Sequence, residues 1–471
     1  MKHAGTARLF ALLTLFAVVF GAESSFSQPE QSRETILRLH GSNTIGAKLA
    51  PDLAQAFLRQ LGADSVKQIE LVKDTETDVE GYFSARKQSK VIEIRAHGSA
   101  TAFKGLKEQR CDIGMASRKI NENELNELAF LGDMSSSACE HVLALDGVAV
   151  IVNPANAAVT KLSFPQLADL FSGNIKNWSE LSWSSGQVTL HARDENSGTH
   201  DTFKQLILTG KKLDESAKRW DANEQLADAV AADAHAVGYC ALPNVKSNKA
   251  LAISDGGPAV RPTVFTVAAE DYPVSRRLHL YSPARPENKC TKDFIEFALS
   301  KEGQALVKKH KFVDLTITAE QRKLEAAPGN IQNHKVLFNY LTSVGGAKRL
   351  SASFRFKGES FELDSRAVRD VERLAEFLAE NQPTDIVLAG FSASAGDAPE
   401  YEKIQGIADS SASYAKNLEL SCKRAEAVKK ALNSRGINVQ EILCVGSEMP
   451  IASNHTEAGR AKNRRVEVWL R

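Results

Sequence analysis

Net charge is what this 471-residue sequence lacks most plainly: Lys and Arg total 59 and Asp and Glu 58. Setting aside residues 1–27, which carry Lys2, Arg8 and Glu23, leaves the two signs equal. A neutral chain is a poor binder of polyanions through overall charge, so no nucleic-acid partner is expected. Long apolar runs are also scarce. The one that stands out, Leu9–Ala22, falls short of the roughly 20 residues a membrane-spanning helix needs. With Lys2, His3 and Arg8 before it and Ser25-Phe26-Ser27 after it, it reads as a signal peptide over residues 1–27, which predicts export to the periplasm. Chemistry-bearing motifs are missing too. None of the six cysteines forms a CxxC pair and none of the eleven histidines an HExxH spacing, which excludes the commonest zinc and redox signatures. No Gly-x-Ser-x-Gly elbow exists, and His200 follows Ser197 too closely on one helix side to make a triad. The chain is therefore not expected to be an enzyme, and no catalytic residue, metal ligand or cofactor is assigned.

What is present is ordinary globular composition, 43% hydrophobic and 25% charged, enough for two to four domains of about 100–200 residues each. From 34 to 320, β-rich runs (Ile36–His40, Val91–Ala96, Asp112–Ala116, Val142–Asn153) alternate with helical spacing such as Leu49, Leu53, Ala54, Phe57 and Leu58. This is an α/β pattern. Residues 321–349 are polar, with Pro328-Gly329 and a short helix predicted at Gln332–Thr342, and read as a linker. Residues 350–471 alternate strands (Leu350–Phe356, Ile386–Ala389, Ile442–Val445, Val466–Leu470) with two helices, a small α+β domain. Trp178, Trp183 and Trp220 read as core. An even cysteine count in an exported chain favours disulfides. Cys422, near the start of a helix, and Cys444, near the end of the following strand, form the expected pair, which leaves Cys111–Cys139 and Cys240–Cys290 as weaker expectations.

Three segments place glycine and small hydroxyl residues where a helix should begin: His40-Gly41-Ser42-Asn43-Thr44-Ile45, His97-Gly98-Ser99-Ala100-Thr101 and Arg193-Asp194-Glu195-Asn196-Ser197-Gly198-Thr199. Helix N-termini carry unpaired N–H donors and partial positive charge, and hydroxyls add donors. Any one of these turns alone reads as an N-cap. Three of them converging, with Arg193 in reach, would bind phosphate or a similar oxyanion.

These motifs resemble the periplasmic phosphate-binding protein of the phosphate ABC transporter, over about 60% of the chain. Gly41 to Ile45 is similar to its first phosphate loop, Gly98 to Thr101 to its second, Asp112 to Arg118 to its third, and Arg193 to Thr199 to its Arg-x-x-x-Ser-Gly-Thr loop. The resemblance implies a type II periplasmic binding fold, two α/β lobes joined by a two-strand hinge, with ligand in the cleft. It assigns phosphate to Ser42, Thr44, the Ile45 backbone, Ser99, Ser117, Arg118, Arg193, Ser197, Gly198 and Thr199, and implies an ABC permease as partner. The sequence departs from the pattern at Arg118, where some members have an aspartate that accepts the phosphate's proton. Asp194 or Glu195 is the expected substitute acceptor.

Residues 350–471 resemble the OmpA-like peptidoglycan-binding domain. The match is carried by Phe354-Arg355-Phe356, by Leu420-Ser421-Cys422-Lys423-Arg424-Ala425 and by the closing Asn463-Arg464-Arg465-Val466-Glu467. The resemblance implies recognition of diaminopimelate in the wall peptide through Arg424, at a helix N-terminus, together with Asn463 and Arg464, and hence a tether to the cell wall or outer membrane. The family's aspartate is replaced by Ala393, Asp397 lies four residues on, and Ala398–Lys416 is a long insertion. The alternative is a structural or adhesive envelope protein whose bilobed domain no longer binds phosphate.

Overall fold

The computed structural model describes residues 32–471 apart from 184–185, 196, 323, 325–333, 359, 382–384 and 395–410. The expected signal peptide, Asp397 and most of the 398–416 insertion lie outside these residues. The first lobe is built on β1 (Ser32–Gly41), β2 (Ser65–Val72), β3 (Glu76–Phe83), β4 (Gln88–Arg95) and β5 (Ile113–Ala116). The next strand, β6 (Glu140–Val152), is buried at all thirteen positions and belongs to both lobes. The second lobe adds β7 (Lys161–Ser163), β8 (Thr189–Arg193), β9 (Lys218–Trp220), β10 (Ala236–Ala241), β11 (Lys249–Ala250) and β12 (Ala252–Ser254). β13 (Ser275–Tyr281) returns the chain to the first lobe.

The main sheet runs β2-β3-β4-β1-β5-β13-β6-β10-β8-β9. β6 explains how one sheet serves two lobes. Its Glu140–Gly147 half pairs antiparallel with β13, and its Val148–Val152 half with β10. Both faces of the strand are covered, and its three charged or polar residues, Glu140, His141 and Asp146, are buried with the rest. The chain crosses between lobes at β6 and again at Tyr272–Val274, where the Tyr272 hydroxyl donates to the Val148 carbonyl at 2.9 Å. At the junction, a side chain on Gly147 would stand 2.7 Å from Val267, so only glycine lets the second-lobe helix Val264–Ala268 close on the strand.

The C-terminal domain is a five-stranded sheet ordered β14-β15-β18-β16-β17, from β14 (Ala319–Gln321), β15 (Lys348–Arg355), β16 (Ile386–Phe391), β17 (Glu441–Gly446) and β18 (Arg465–Leu470). Helices Ser365–Asn381 and Ser411–Asn433 cover one face through Ala367, Val371, Leu374, Ala425, Val428 and Leu432. The described residues of the expected linker pack onto this domain. β14 pairs with β15, and helix His334–Val344 buries Leu337, Tyr340 and Val344 against Val387, Phe391 and Trp469 on the other face. β15 shows how the domains meet. Leu350, Ala352 and Phe354 enter the domain core, while Arg349, Ser351, Ser353 and Arg355, on the alternate face, are equally buried. Their polar face lies against the bilobed domain.

Cys422 and Cys444 lie with sulfurs 2.07 Å and Cα atoms 4.8 Å apart, the spacing of a disulfide. Cys422 is in the middle of its helix rather than near the start. The other two expected pairings fail: Cys111, Cys139, Cys240 and Cys290 are free thiols, the first three buried. Burial raises the Cys111 and Cys240 thiols to about 12, so they stay protonated. They behave as small core hydrophobes.

Candidate functional site

The first-lobe side of the cleft is assembled from chain ends that hold one another. Gly98 N–H donates to the Gly41 carbonyl at 2.7 Å, Ser42 N–H to Met115 at 2.8 Å, and Ser117 N–H to the Ser99 hydroxyl at 3.0 Å. The Ser99 and Ser117 hydroxyls are 3.2 Å apart. Gly41 and Gly98 both have positive φ, 138° and 97°, and Gly41 is wedged against the Met115 carbonyl, so a side chain is excluded there. Ser42 and Ser99 thus stand side by side at the starts of Asn43–Gly46 and Ser99–Lys107.

The second-lobe side is the turn after β8. Ser197 caps helix Gly198–Phe203 by accepting from His200 N–H at 3.4 Å. Arg193, Ser197 and Thr199 are all buried. Arg193 donates to the carbonyls of Trp220 at 3.1 Å and Asp221 at 2.6 Å, which fixes its guanidinium beside Asp194. Of the two substitute acceptors, Asp194 adjoins this guanidinium and Glu195 projects outward toward Arg219. The His200 imidazole bonds the Tyr239 hydroxyl at 2.6 Å rather than Ser197, and burial, then Arg219, lower its pKa to about 4.

The two sides touch. A Cβ on Gly198 would stand 2.4 Å from the Thr44 hydroxyl. Between them lies Arg276 of β13, in the segment Tyr272–Arg276, which resembles a strand of the phosphate-binding family; it is not among the expected ligands. Its Nη2 donates to the Thr44 hydroxyl at 3.0 Å and to the Gly198 carbonyl at 2.7 Å, while Nε faces Asp146 at 3.4 Å. Its Nη1 is buried with no acceptor. Asp146 also accepts from Thr202 at 2.9 Å. Burial lowers the Arg276 pKa against the pull of Asp146 and Asp201, and burial raises that of Asp201, with Arg276 opposing. The sequence signal for Arg276 is the likeness of Tyr272–Arg276 to a family strand, together with its alternation on that strand.

Arg118 is placed differently from the other expected ligands. It makes a bidentate pair with Glu124 at 2.7 and 2.8 Å and lies over the Phe103 ring. Its charge is already matched.

In the C-terminal domain the expected wall-binding residues are occupied within the fold. Arg424 is wholly buried and is the fourteenth residue of helix Ser411–Asn433, not at its N-terminus. It donates to the Ser360 carbonyl at 3.1 Å and the Phe391 carbonyl at 3.2 Å. Asn463 uses its whole amide on Ile451, Ala452 and Asn454, pinning that loop. Arg464 pairs with Glu457. Ala393, half-buried, follows Ser392, which is tied to the Gly446 carbonyl at 2.7 Å.

A second concavity, about 540 Å³, lies between the domains. Its wall carries Arg261, Arg322, Arg349 and Arg465 against Asp271, Glu320, Glu448 and Glu467, a balance that leaves no net charge to select a ligand. Among the described residues no group of His, Cys, Asp and Glu could hold a metal ion, and no helix is long and apolar enough to cross a membrane.

Two lobes strung on shared strands, with hydroxyls and arginines converging between them, define a bilobed binding-protein fold. Residues 62–302 match the PBP superfamily domain and residues 355–464 the OmpA family. The chain is 30% identical over 213 residues to the phosphate-binding protein PstS of Bacillus subtilis (strain 168), covering 45% of this chain and 67% of that protein. It is 26% identical over 229 residues to the PstS of Borreliella burgdorferi, covering 47% and 78%. Among solved structures, an ABC-type phosphate transport receptor from Vibrio cholerae aligns over 59% of this chain and 99% of that one, at 23% identity and a TM-score of 0.45. A possible phosphate binding protein from Planctomyces limnophilus aligns over 61% and 94%, at 24% identity and a TM-score of 0.47. The chain belongs to the PBP superfamily, with a PstS-like receptor domain followed by an OmpA family domain.

Proposed function

We propose that this protein is an exported receptor that captures phosphate, or a related oxyanion, between its lobes and is held in the cell envelope by its C-terminal domain. The observation that carries the reading is the convergence of Thr44, Gly198 and Arg276 across the cleft, flanked by Ser42, Ser99 and Ser117 on one lobe and Arg193, Ser197 and Thr199 on the other. Hydroxyls, helix N-termini and buried guanidinium groups are the donors an oxyanion needs, and few of them add an unmatched charge. Delivery to an ABC permease is part of the same reading, since the relatives are phosphate-binding proteins. Titration calorimetry with phosphate and with sulfate on the mature chain tests it. Binding of neither anion favours the structural or adhesive alternative.

Without the aspartate at Ala393 the ligand ammonium lacks its charged partner, a bond worth about 1.5–3 kcal/mol. Arg424 lies under the Ser360 turn, which a wall peptide has to displace. Weak or no sedimentation with diaminopimelate-type peptidoglycan is expected for the wild type. Ala393→Asp should strengthen binding about tenfold if the restored bond is worth about 1.5 kcal/mol. Loss of all binding in Arg424→Ala would keep the family site. Absence of binding in all three proteins would point to a protein partner in the envelope.

A further inference from the structure

The C-terminal domain does not hang from the receptor. It is docked across the hinge, with contacts on both lobes. On the second lobe it takes the segment that leads into the crossing. Glu270 faces Arg366 at 2.9 Å and Arg355 at 3.4 Å, and Asp271 is gripped by Arg349 at 2.6 and 3.1 Å. The Ala268, Ala269 and Tyr272 carbonyls accept from Arg366, Arg355 and Lys462 at 2.8, 2.9 and 3.0 Å. Farther out, Ser453 N–H donates to Asp255 at 3.0 Å, and Gly257 lies so close to Ala452 that a Cβ would stand 2.6 Å from its carbonyl carbon. On the first lobe, Ser365 bonds Glu140, Arg369 donates to His141 at 2.9 Å and faces Glu296 at 3.5 Å, and Asp364 accepts from Arg277 at 2.7 Å.

β13 joins this interface to the cleft. Neighbouring residues of a strand point to opposite faces. Arg276 therefore enters the cleft, where it bridges Thr44 and Gly198. Arg277 points the other way, into Glu270 and Asp364. Glu270 itself has φ 59°, a left-handed backbone that a non-glycine residue keeps only where its surroundings hold it. The lobes are in contact at Thr44 and Gly198, so the docked arrangement is that of a closed cleft.

We propose that the C-terminal domain is a clamp on the receptor hinge. Docked on both lobes it holds the cleft closed, and solute enters or leaves only when one set of its contacts breaks. Opening is a rotation of one lobe against the other. A rigid body fastened on both sides of the rotation axis, at Asp255–Gly257 and at Glu296, cannot follow both lobes. By linkage, whatever pulls on the C-terminal domain in the envelope changes phosphate affinity, and phosphate binding changes the docking equilibrium by the same factor.

The clamp deepens the phosphate-receptor reading and depends on it only in the kinetic arm of its test. Two variants of the full mature chain loosen opposite sides without touching the cleft. Ser365→Ala with Arg369→Ala removes the first-lobe contacts to Glu140, His141 and Glu296, and Gly257→Leu drives a wedge into the second-lobe contact. Stopped-flow exchange of phosphate should accelerate by at least about fivefold in both, within the usual range of coupling between sites. Small-angle scattering without phosphate should show both variants more extended than the wild type, whose profile should be the same with and without phosphate. Equal rates and superimposable profiles in all three proteins would overturn the clamp. Wild type that binds no phosphate in calorimetry removes the receptor reading instead, and the phosphate-free scattering then decides the clamp alone.

Discussion

Arg276 is held on several sides at once, by Asp146, the Thr44 hydroxyl and the Gly198 carbonyl, and its remaining Nη1 has no acceptor. Removing it leaves the Asp146 carboxylate buried with Thr202 alone. Arg276→Ala should therefore lower stability by about 3–5 kcal/mol in urea unfolding, the usual result of orphaning half of a buried pair. The other arginines should separate cleanly in phosphate calorimetry. Arg193→Ala should cost about 2–5 kcal/mol of binding by removing a desolvated partner, and Thr199→Ala about 1–2 kcal/mol by removing one donor. Arg118→Ala should shift affinity by less than about threefold, under about 0.7 kcal/mol, because Glu124 already neutralises it. A large loss at Arg118 with none at Arg193 would reverse the assignment of the cleft.

At the scale of elements, the disulfide is the most local test. It closes a loop between residues 22 apart, from the middle of helix Ser411–Asn433 to β17. Loop entropy values such a closure at about 3 kcal/mol. Guanidinium unfolding with and without reductant should differ by that order. Alkylation after denaturation without reductant should label Cys111, Cys139, Cys240 and Cys290 and spare Cys422 and Cys444. What was legible in the sequence at this scale follows from periodicity and turn chemistry. β6 announced itself as the β-rich run Val142–Asn153, and the Gly41 and Gly98 turns by glycine next to hydroxyls. β14 was hidden, because three exposed residues pair with β15 without any apolar pattern. β15 was misleading in a more instructive way. Its alternation reads as a strand with one wet face, yet Arg349, Ser351, Ser353 and Arg355 are dry. A polar face covered by another domain looks, in one sequence, like a polar face covered by water. The roles of Arg276 and Arg277 were illegible for the same reason. Strand alternation separates their faces but does not say what each face meets.

For the whole molecule, the groups buried without charge set the response to acid. His141 sits at the domain interface, where burial and then the adjacent Arg369 lower its pKa from 6.5 to about 3. Burial likewise takes His191, His200 and His279 to about 4. Each of these binds a proton more readily in the unfolded chain than in the folded one. Between pH 6.5 and about 4 the unfolded state therefore gains protons that the native state does not, and stability falls as pH falls. The carboxylates act in a lower window. Burial works to raise Asp271, but Arg349 and then Arg322 outweigh it and bring it from 3.8 to about 2. Its contribution is complete above pH 3.8 and disappears as pH falls toward 2. At Glu270 burial is likewise overcome, by Arg277, Arg366 and Arg355, which hold it well below the usual carboxylate range. Acid unfolding should thus come in two stages: a loss of stability from pH 6.5 to 4 set by the histidines, then a collapse of the domain interface below pH 4. Denaturation midpoints between pH 7 and 4, compared for wild type and His200→Gln, check the first stage. The variant keeps a partner for Tyr239 but has no imidazole to protonate, so its midpoint should fall less steeply. Parallel slopes would mean that His200 is not held neutral in the native fold.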